Sequence, residues 1–188
     1  MLDYASLTPL QSFVTGSFFK HKHIMLMLPR QEGKTELGCR LMHNLISAPN
    51  GMRQGLFLAK SKEAGKKATR EKMSRIFAGG DFSVNTINVV NKSNPAAICF
   101  MDSVDKQPSR LRGGSYHLVH WSEVAFSEFD HGVTTDHVYN TVLRPTQRKT
   151  GGYSFLETTA NGKNGWYDMW ENAKELGFRR IRIPQRRS

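Results

Sequence analysis

Cysteine is scarce. Cys39 and Cys99 are the only two in 188 residues, neither has a C-x-x-C partner, and both sit among apolar neighbours. A disulfide scaffold is thereby excluded, and the pair reads as two reduced core thiols. Long hydrophobic runs are missing as well. The longest, Ile24 to Pro29, falls far short of the ~20 residues that cross a bilayer, so it reads as a buried strand and no membrane partner is expected. The chain opens with an acidic Asp3 and no basic segment, so no signal peptide is expected. There is no G-x-S-x-G elbow for a hydrolase triad, no internal repeat and no low-complexity tract. Histidine is present seven times, but His117 and His120 stand three apart on a predicted strand and face opposite sides. With no cysteine near them, a zinc site is not expected.

Acidic residues are also in deficit: 16 against 27 basic ones, a net charge of +11. An excess of this size points to a polyanionic partner. It is uneven. Lys60, Lys62, Lys66, Lys67, Arg70, Lys72 and Arg75 face only Glu63 and Glu71, and a second cluster holds Arg179, Arg180, Arg182, Arg186 and Arg187. Lys62, Lys66, Lys67 and Arg70 are the candidate contacts to nucleic-acid phosphates, which would be salt-dependent and largely blind to base sequence.

What is present is an alternation of strands and helices. Thr8 suits a helix N-cap and Pro9 the first helical position, predicting a helix to about Lys20. Ile24–Leu28 reads as a buried strand, and the apolar face of Leu37, Leu41, Leu45, Cys39, Met42 and Ile46 predicts a helix from Lys34 to Ile46. Leu56–Ala59 is a second strand, followed by a basic helix from Ser61 to Phe77. Ala96–Met101 is a strand with Thr86–Val90 beside it, and His117–Trp121 is another. A helix is predicted over Ser127–Val142, a core strand over Tyr153–Thr158 and a last helix over Trp166–Leu176. This pattern predicts an α/β fold with a mostly parallel sheet, whose ligands bind at the carboxyl ends of the strands.

The chemistry-bearing residues fall at those ends. Between the first strand and the second helix runs Pro29-Arg30-Gln31-Glu32-Gly33-Lys34-Thr35. The common phosphate loop is G-x-x-x-x-G-K-[ST]; here Leu28 occupies the first glycine position and Gly33-Lys34-Thr35 is kept. Gly33 lets the backbone turn closely around phosphate, and the following helix N-terminus supplies donors and positive partial charge. Lys34 can reach the β- and γ-phosphates, and the Thr35 hydroxyl can bind Mg²⁺. Arg30 lies inside the loop. A second strand ends as Leu118-Val119-His120-Trp121-Ser122-Glu123. In many phosphate-loop ATPases two acids stand there, the first for hydrated Mg²⁺ and the second to polarise water. Here Ser122 takes the first place, able to hydrogen-bond a metal-bound water without supplying charge, and Glu123 is the candidate general base.

Taken together these segments resemble the ATPase domain of a large terminase subunit, the DNA-packaging motor of tailed phages, over about Leu7 to Pro184. Leu-Thr-Pro-Leu-Gln resembles that family's adenine-reading element, with Gln11 as the reader. Pro-Arg-Gln-Glu-Gly-Lys-Thr resembles its arginine-bearing Walker A. The stretch from Arg110 through Gly113-Gly114 to Phe126 resembles its approach to a Walker B, and Thr158-Thr159-Ala160-Asn161-Gly162 its coupling motif, with Thr158, Thr159 and Asn161 sensing the γ-phosphate. Arg112, ten residues before Ser122, resembles an arginine inserted into a neighbour's ATP site, a role that Arg110 or Arg144 could fill instead. The resemblance implies a RecA/ASCE-like P-loop NTPase fold and ATP with Mg²⁺ as cofactors. It implies double-stranded DNA as substrate and a homo-oligomeric ring on a portal, working with a small terminase subunit in the cytoplasm of the infected bacterial host. A single ATPase domain over residues 1–188 is expected, with no nuclease domain inside the chain. A helicase-like ATPase and a degenerate nucleotide- or DNA-binding module are the alternatives. The residues that decide among them are Lys34, Glu123 and Arg112 as catalytic groups, Gln11 and Arg30 to Thr35 for nucleotide, and Thr35 and Ser122 for metal.

Overall fold

The first helix starts on two reciprocal hydrogen bonds. The Thr8 hydroxyl accepts from the Gln11 amide at 3.2 Å, and Gln11 Oε1 accepts from the Thr8 amide at 3.1 Å. This capping box satisfies donors that a helix start leaves bare and opens α1 (Pro9–His21). The structure, a computed structural model, describes residues 6–104, 108–129 and 132–184, apart from the side chains of Thr69, Arg70 and Arg110.

Strand β1 (His23–Met27) leads into α2 (Lys34–Ile46), the helix predicted residue for residue, and then into β2 (Arg53–Ala59). The basic helix is segmented. Lys62–Ala68 (α3) passes through a wider π turn, Thr69–Met73, into Ser74–Ile76 (α4). Then come β3 (Phe82–Val84), β4 (Asn88–Asn91), β5 (Ala97–Ser103) and β6 (Leu118–Ser122). The helix expected over Ser127–Val142 begins later and runs further. Thr134 caps it by accepting from the His137 amide, α5 (Thr135–Val138) follows, and a π turn over Tyr139–Leu143 carries it into α6 (Arg144–Gln147). Gly132, at φ +71°, holds the chain in a left-handed turn before that start. Strand β7 (Tyr153–Thr158) is as predicted. The last helix, α7 (Gly165–Glu171), stops short of the predicted Leu176, and the basic stretch beyond it contains β8 (Arg179–Arg182).

The strands form one sheet in the order β3-β4-β5-β2-β6-β7-β1-β8. Pairings from β5 to β8 are all parallel, and β3 and β4 add an antiparallel margin. Side chains alternate between faces, which builds two apolar cores. Ile24, Leu26, Phe57 and Phe155 pack under α1 and α2 on one side. Met25, Leu56, Leu58, Trp121 and Leu156 pack under α5 to α7 on the other. Strand β7 lies between β1, which feeds the loop of Gly33, and β6, which ends on Ser122 just before Glu123. Among the described residues no helix is long and apolar enough to cross a membrane.

One contact sets how closely α2 approaches the sheet. A methyl group on Gly38 would run into the imidazole of His120, a fully buried ring with Phe57 and Phe155 edge-on to it at centroid distances of 4.9 and 5.4 Å. Gly38→Ala gains about 1 kcal/mol of helix propensity but overpacks a core that has no room to give, at about 1–3 kcal/mol. With the ring trapped, we expect a net loss of roughly 1–2 kcal/mol, read as a lower denaturation midpoint. A raised midpoint would show that the ring yields.

Candidate nucleotide site

The loop between β1 and α2 is held by its own backbone. Gln31 and Gly33 adopt left-handed φ of +66° and +68°. At Gly33 the positive φ favours glycine, and a side chain there would also push Gln11 Nε2 aside, 2.7 Å away. Gly33 is the N-cap of α2 and no side chain caps it, which leaves a thirteen-residue helix presenting its N-terminus to the cavity. That end favours an anion.

Lys34 is almost fully buried. Its ammonium donates to Pro29 O at 2.7 Å, to Leu28 O at 3.3 Å and to Thr159 Oγ1 at 3.1 Å. Burial pushes its pKa below the ordinary lysine value, and the Glu157 and Glu123 carboxylates partly counter this. The amine is therefore folded back over the loop, at the price of desolvation, and an incoming phosphate would relieve it.

The floor of the cavity is a knot of oxygens. Glu157, near the end of β7, is fully buried. Its Oε1 accepts from Ser122 Oγ at 2.6 Å and from Thr35 Oγ1 at 2.8 Å, and those two hydroxyls stand 3.2 Å apart. His120 Nε2 lies 3.6 Å from the same oxygen, within ion-pair range but beyond a good hydrogen bond. Burial pulls the Glu157 pKa upward, but His120 and the Ser122 and Thr35 hydroxyls outweigh it, and the carboxyl sits below its usual range. Glu157 Oε2 is buried with no hydrogen-bond partner among the described residues. This oxygen-only donor set suits a hard cation such as Mg²⁺.

Glu123 follows β6 at φ +54°, a left-handed conformation that a non-glycine residue adopts at a cost and that recurs at functional sites. Its carboxylate pairs with Lys60 at 2.9 Å, both side chains being partly exposed. The cavity, about 350 Å³, is lined by Arg30, Gln31, Gly33, Lys34 and Thr35 on one side and by Lys60, Lys72, Glu123, Glu157 and Thr159 on the other. An adjoining cleft of about 410 Å³ shares Thr35, Lys60, Lys72 and Glu123. Basic side chains outnumber acids around the space, as a polyphosphate needs.

The end of β7 and the segment after it are tied to both loops that line the cavity. Thr159 receives the Lys34 amine. Thr158 Oγ1 accepts from the Ala125 amide at 3.2 Å. Asn161 and Asn164 both donate to Ala125 O, at 2.9 and 2.8 Å.

The structure thus gathers Arg30, Gln31, Gly33, Lys34, Thr35, Ser122, Glu123 and Thr159 at one place, with Gln11 against the loop. Glu32 is exposed and does not line the cavity. Arg112 is exposed beyond the short turn Pro108–Leu111 and is likewise not in the lining. Lys62 and Lys66 border a separate cleft at the end of β5, whereas Lys67 lines the cleft that adjoins the cavity; the Arg70 side chain lies outside the described residues. Three groups were missed by sequence reasoning in these roles. Lys60 and Lys72 were visible only as members of a charge cluster. Glu157 carried a plainer signal: a charge within a strand read as core requires a partner.

Residues 25–181 match the family described as "Terminase large subunit, T4likevirus-type, N-terminal". The chain belongs to that terminase family. Its mostly parallel eight-stranded sheet flanked by helices is the fold of solved terminase ATPase domains. Among solved structures, this terminase chain is similar to the Thermus phage P74-26 large terminase ATPase domain, at 20% identity over 79% of this chain and 64% of that one, with a TM-score of 0.58. It is also similar to the large terminase of a thermophilic bacteriophage, at 11% identity over 93% of this chain and 45% of that one, TM-score 0.66. A structure of the same phage terminase in complex with ADP matches at 10% identity over 87% of this chain and 40% of that one, TM-score 0.59. The chain therefore spans about two thirds of the first and under half of the others. No curated protein sequence matches it.

Proposed function

We propose that this chain is the ATPase domain of a viral DNA-packaging motor, hydrolysing ATP to drive double-stranded DNA into a procapsid. The observation that carries the reading is the Lys34 amine, buried over a left-handed Gly33 turn at an uncapped helix N-terminus. The low-identity likeness to a terminase that binds ADP supports it.

On this reading Gln11 meets the adenine, Arg30 to Thr35 wrap the phosphates, and Lys34 moves from the loop carbonyls onto the γ-phosphate. Thr35 and Ser122 would receive Mg²⁺, which supplies charge stabilisation to the phosphoryl oxygens. Glu123 leaves Lys60 and orients the attacking water. When Lys34 leaves Thr159, the change reaches Thr158 and Asn161, and through Ala125 the loop of Glu123. Arg112, exposed and outside its own cavity, would serve a neighbouring subunit in a ring on the portal, with the small subunit as a further partner in the host cytoplasm.

The test is an ATPase assay with and without duplex DNA. Turnover stimulated by duplex is the expected result; absent turnover with nucleotide bound would leave a non-hydrolysing module. Reversing the charge at Lys62, Lys66 and Lys67 should weaken duplex binding and make the log–log salt slope shallower by about one for each phosphate no longer neutralised. An unchanged affinity would return those lysines to an ordinary solvated face.

A further inference from the structure

Position 122 holds a serine where such an acid strand is expected to offer a carboxylate, yet the cavity floor does not lack one. Strand β7 lies between β1 and β6, and its parallel register sets Glu157 directly beside Ser122. From there the Glu157 carboxylate reaches the hydroxyls of both Ser122 and Thr35. Its other oxygen, Oε2, is buried and unpartnered among the described residues. A carboxylate kept only to neutralise a neighbour would be expected to use both oxygens, because an unpaired buried acceptor is costly. The Lys34 amine is not committed to it either, since it goes to Leu28, Pro29 and Thr159. His120, set between Gly38, Phe57 and Phe155, brings its Nε2 to 3.6 Å from Glu157 Oε1.

We propose that Glu157 supplies the carboxylate that position 122 lacks, so that the divalent cation accompanying the nucleotide is received by Thr35, Ser122 and Glu157 drawn from three different elements. The inference rests on the nucleotide reading above. It fits the chemistry of Mg²⁺, which is commonly held by one or two carboxylates together with substrate phosphates. Ser122 then acts as a hydroxyl that orients Glu157, and the motor keeps its metal charge one strand away from where the motif would place it.

The probe is Mn²⁺ in place of Mg²⁺, titrated into the purified chain with a non-hydrolysable ATP analogue and followed by the electron paramagnetic resonance of free Mn²⁺. Binding of the analogue in EDTA is measured alongside. Glu157→Gln should weaken Mn²⁺ binding by at least about 10-fold, the low end of what losing even an outer-shell partner costs, while the analogue still binds in EDTA. Adding Ser122→Asp to that variant should return the Mn²⁺ affinity. Ser122→Ala, which keeps Glu157, should lose less than Glu157→Gln, and it decides the matter if the glutamine variant does not fold. Unaltered Mn²⁺ affinity in Glu157→Gln, or complete loss in Ser122→Ala, overturns the proposal. An unmodified chain that binds no analogue in either condition defeats the nucleotide reading and this inference with it.

Discussion

Lys34→Ala is expected to lower kcat/KM for ATP by at least about 10²–10³-fold, the scale of removing one preorganised donor from developing charge. Further loss should come through weaker binding. The amine is the one cation on the loop that is both buried and within hydrogen-bond reach of Thr159. Lys34 also predicts a proton signature. Its pKa is lowered first by burial, so in the free chain the charged amine carries a penalty. The unfolded state holds the proton more tightly, and stability from this group rises with pH between the lowered value and the ordinary lysine value of 10.5. Phosphates favour the charged form and raise the pKa again. Nucleotide binding on the alkaline side should therefore take up a proton, measurable by calorimetry in buffers of different ionisation enthalpy. Lys34→Ala should abolish that uptake; uptake that persists would assign it to another group.

Glu123→Gln is expected to cut turnover by about 10²–10⁴-fold, the range for a positioned general base, while ATP stays bound. The residue stands in a left-handed turn beside Ser122 and lines the cavity. Its link to Lys60 is partly exposed, and such pairs contribute little to stability, about 0–1 kcal/mol. The substitution should therefore leave the fold intact. A filter-binding measurement of retained ATP, beside a steady-state assay, separates the two effects. Turnover at the unmodified rate would remove Glu123 from the role and turn attention to whatever else orders water there.

The frame of this molecule was legible because local signals agreed. A capped start at Thr8 and Pro9, the apolar face of Lys34–Ile46 and the buried run of Tyr153–Thr158 each reported on their own segment, and each element formed there. The glycine turn between β1 and α2 was legible for the same reason. What stayed hidden came from neighbours distant in sequence. Strand β8 is an alternation of three exposed arginines around Ile181 and exists because β1 offers it an edge. Phe82–Val84 is three residues long and depends on β4 for its pairing. Glu157 was hidden because a motif is read along one strand, whereas the cavity floor is read across several. The register that brings residue 157 beside residue 122 is a property of the sheet.

Ala125 offers a methyl group and nothing else to chemistry, yet both of its peptide groups are taken: the amide by Thr158 and the carbonyl by Asn161 and Asn164. The turn that presents Glu123 and the turn that listens to Lys34 are thereby stapled through main chain. They behave as one part of a machine, like two gears cut on a common shaft, and any play between them is removed. On the proposed reading, a movement started at a bound phosphate would be taken up by pieces outside that shaft, such as the segment carrying Lys60 and Lys72 across the cavity.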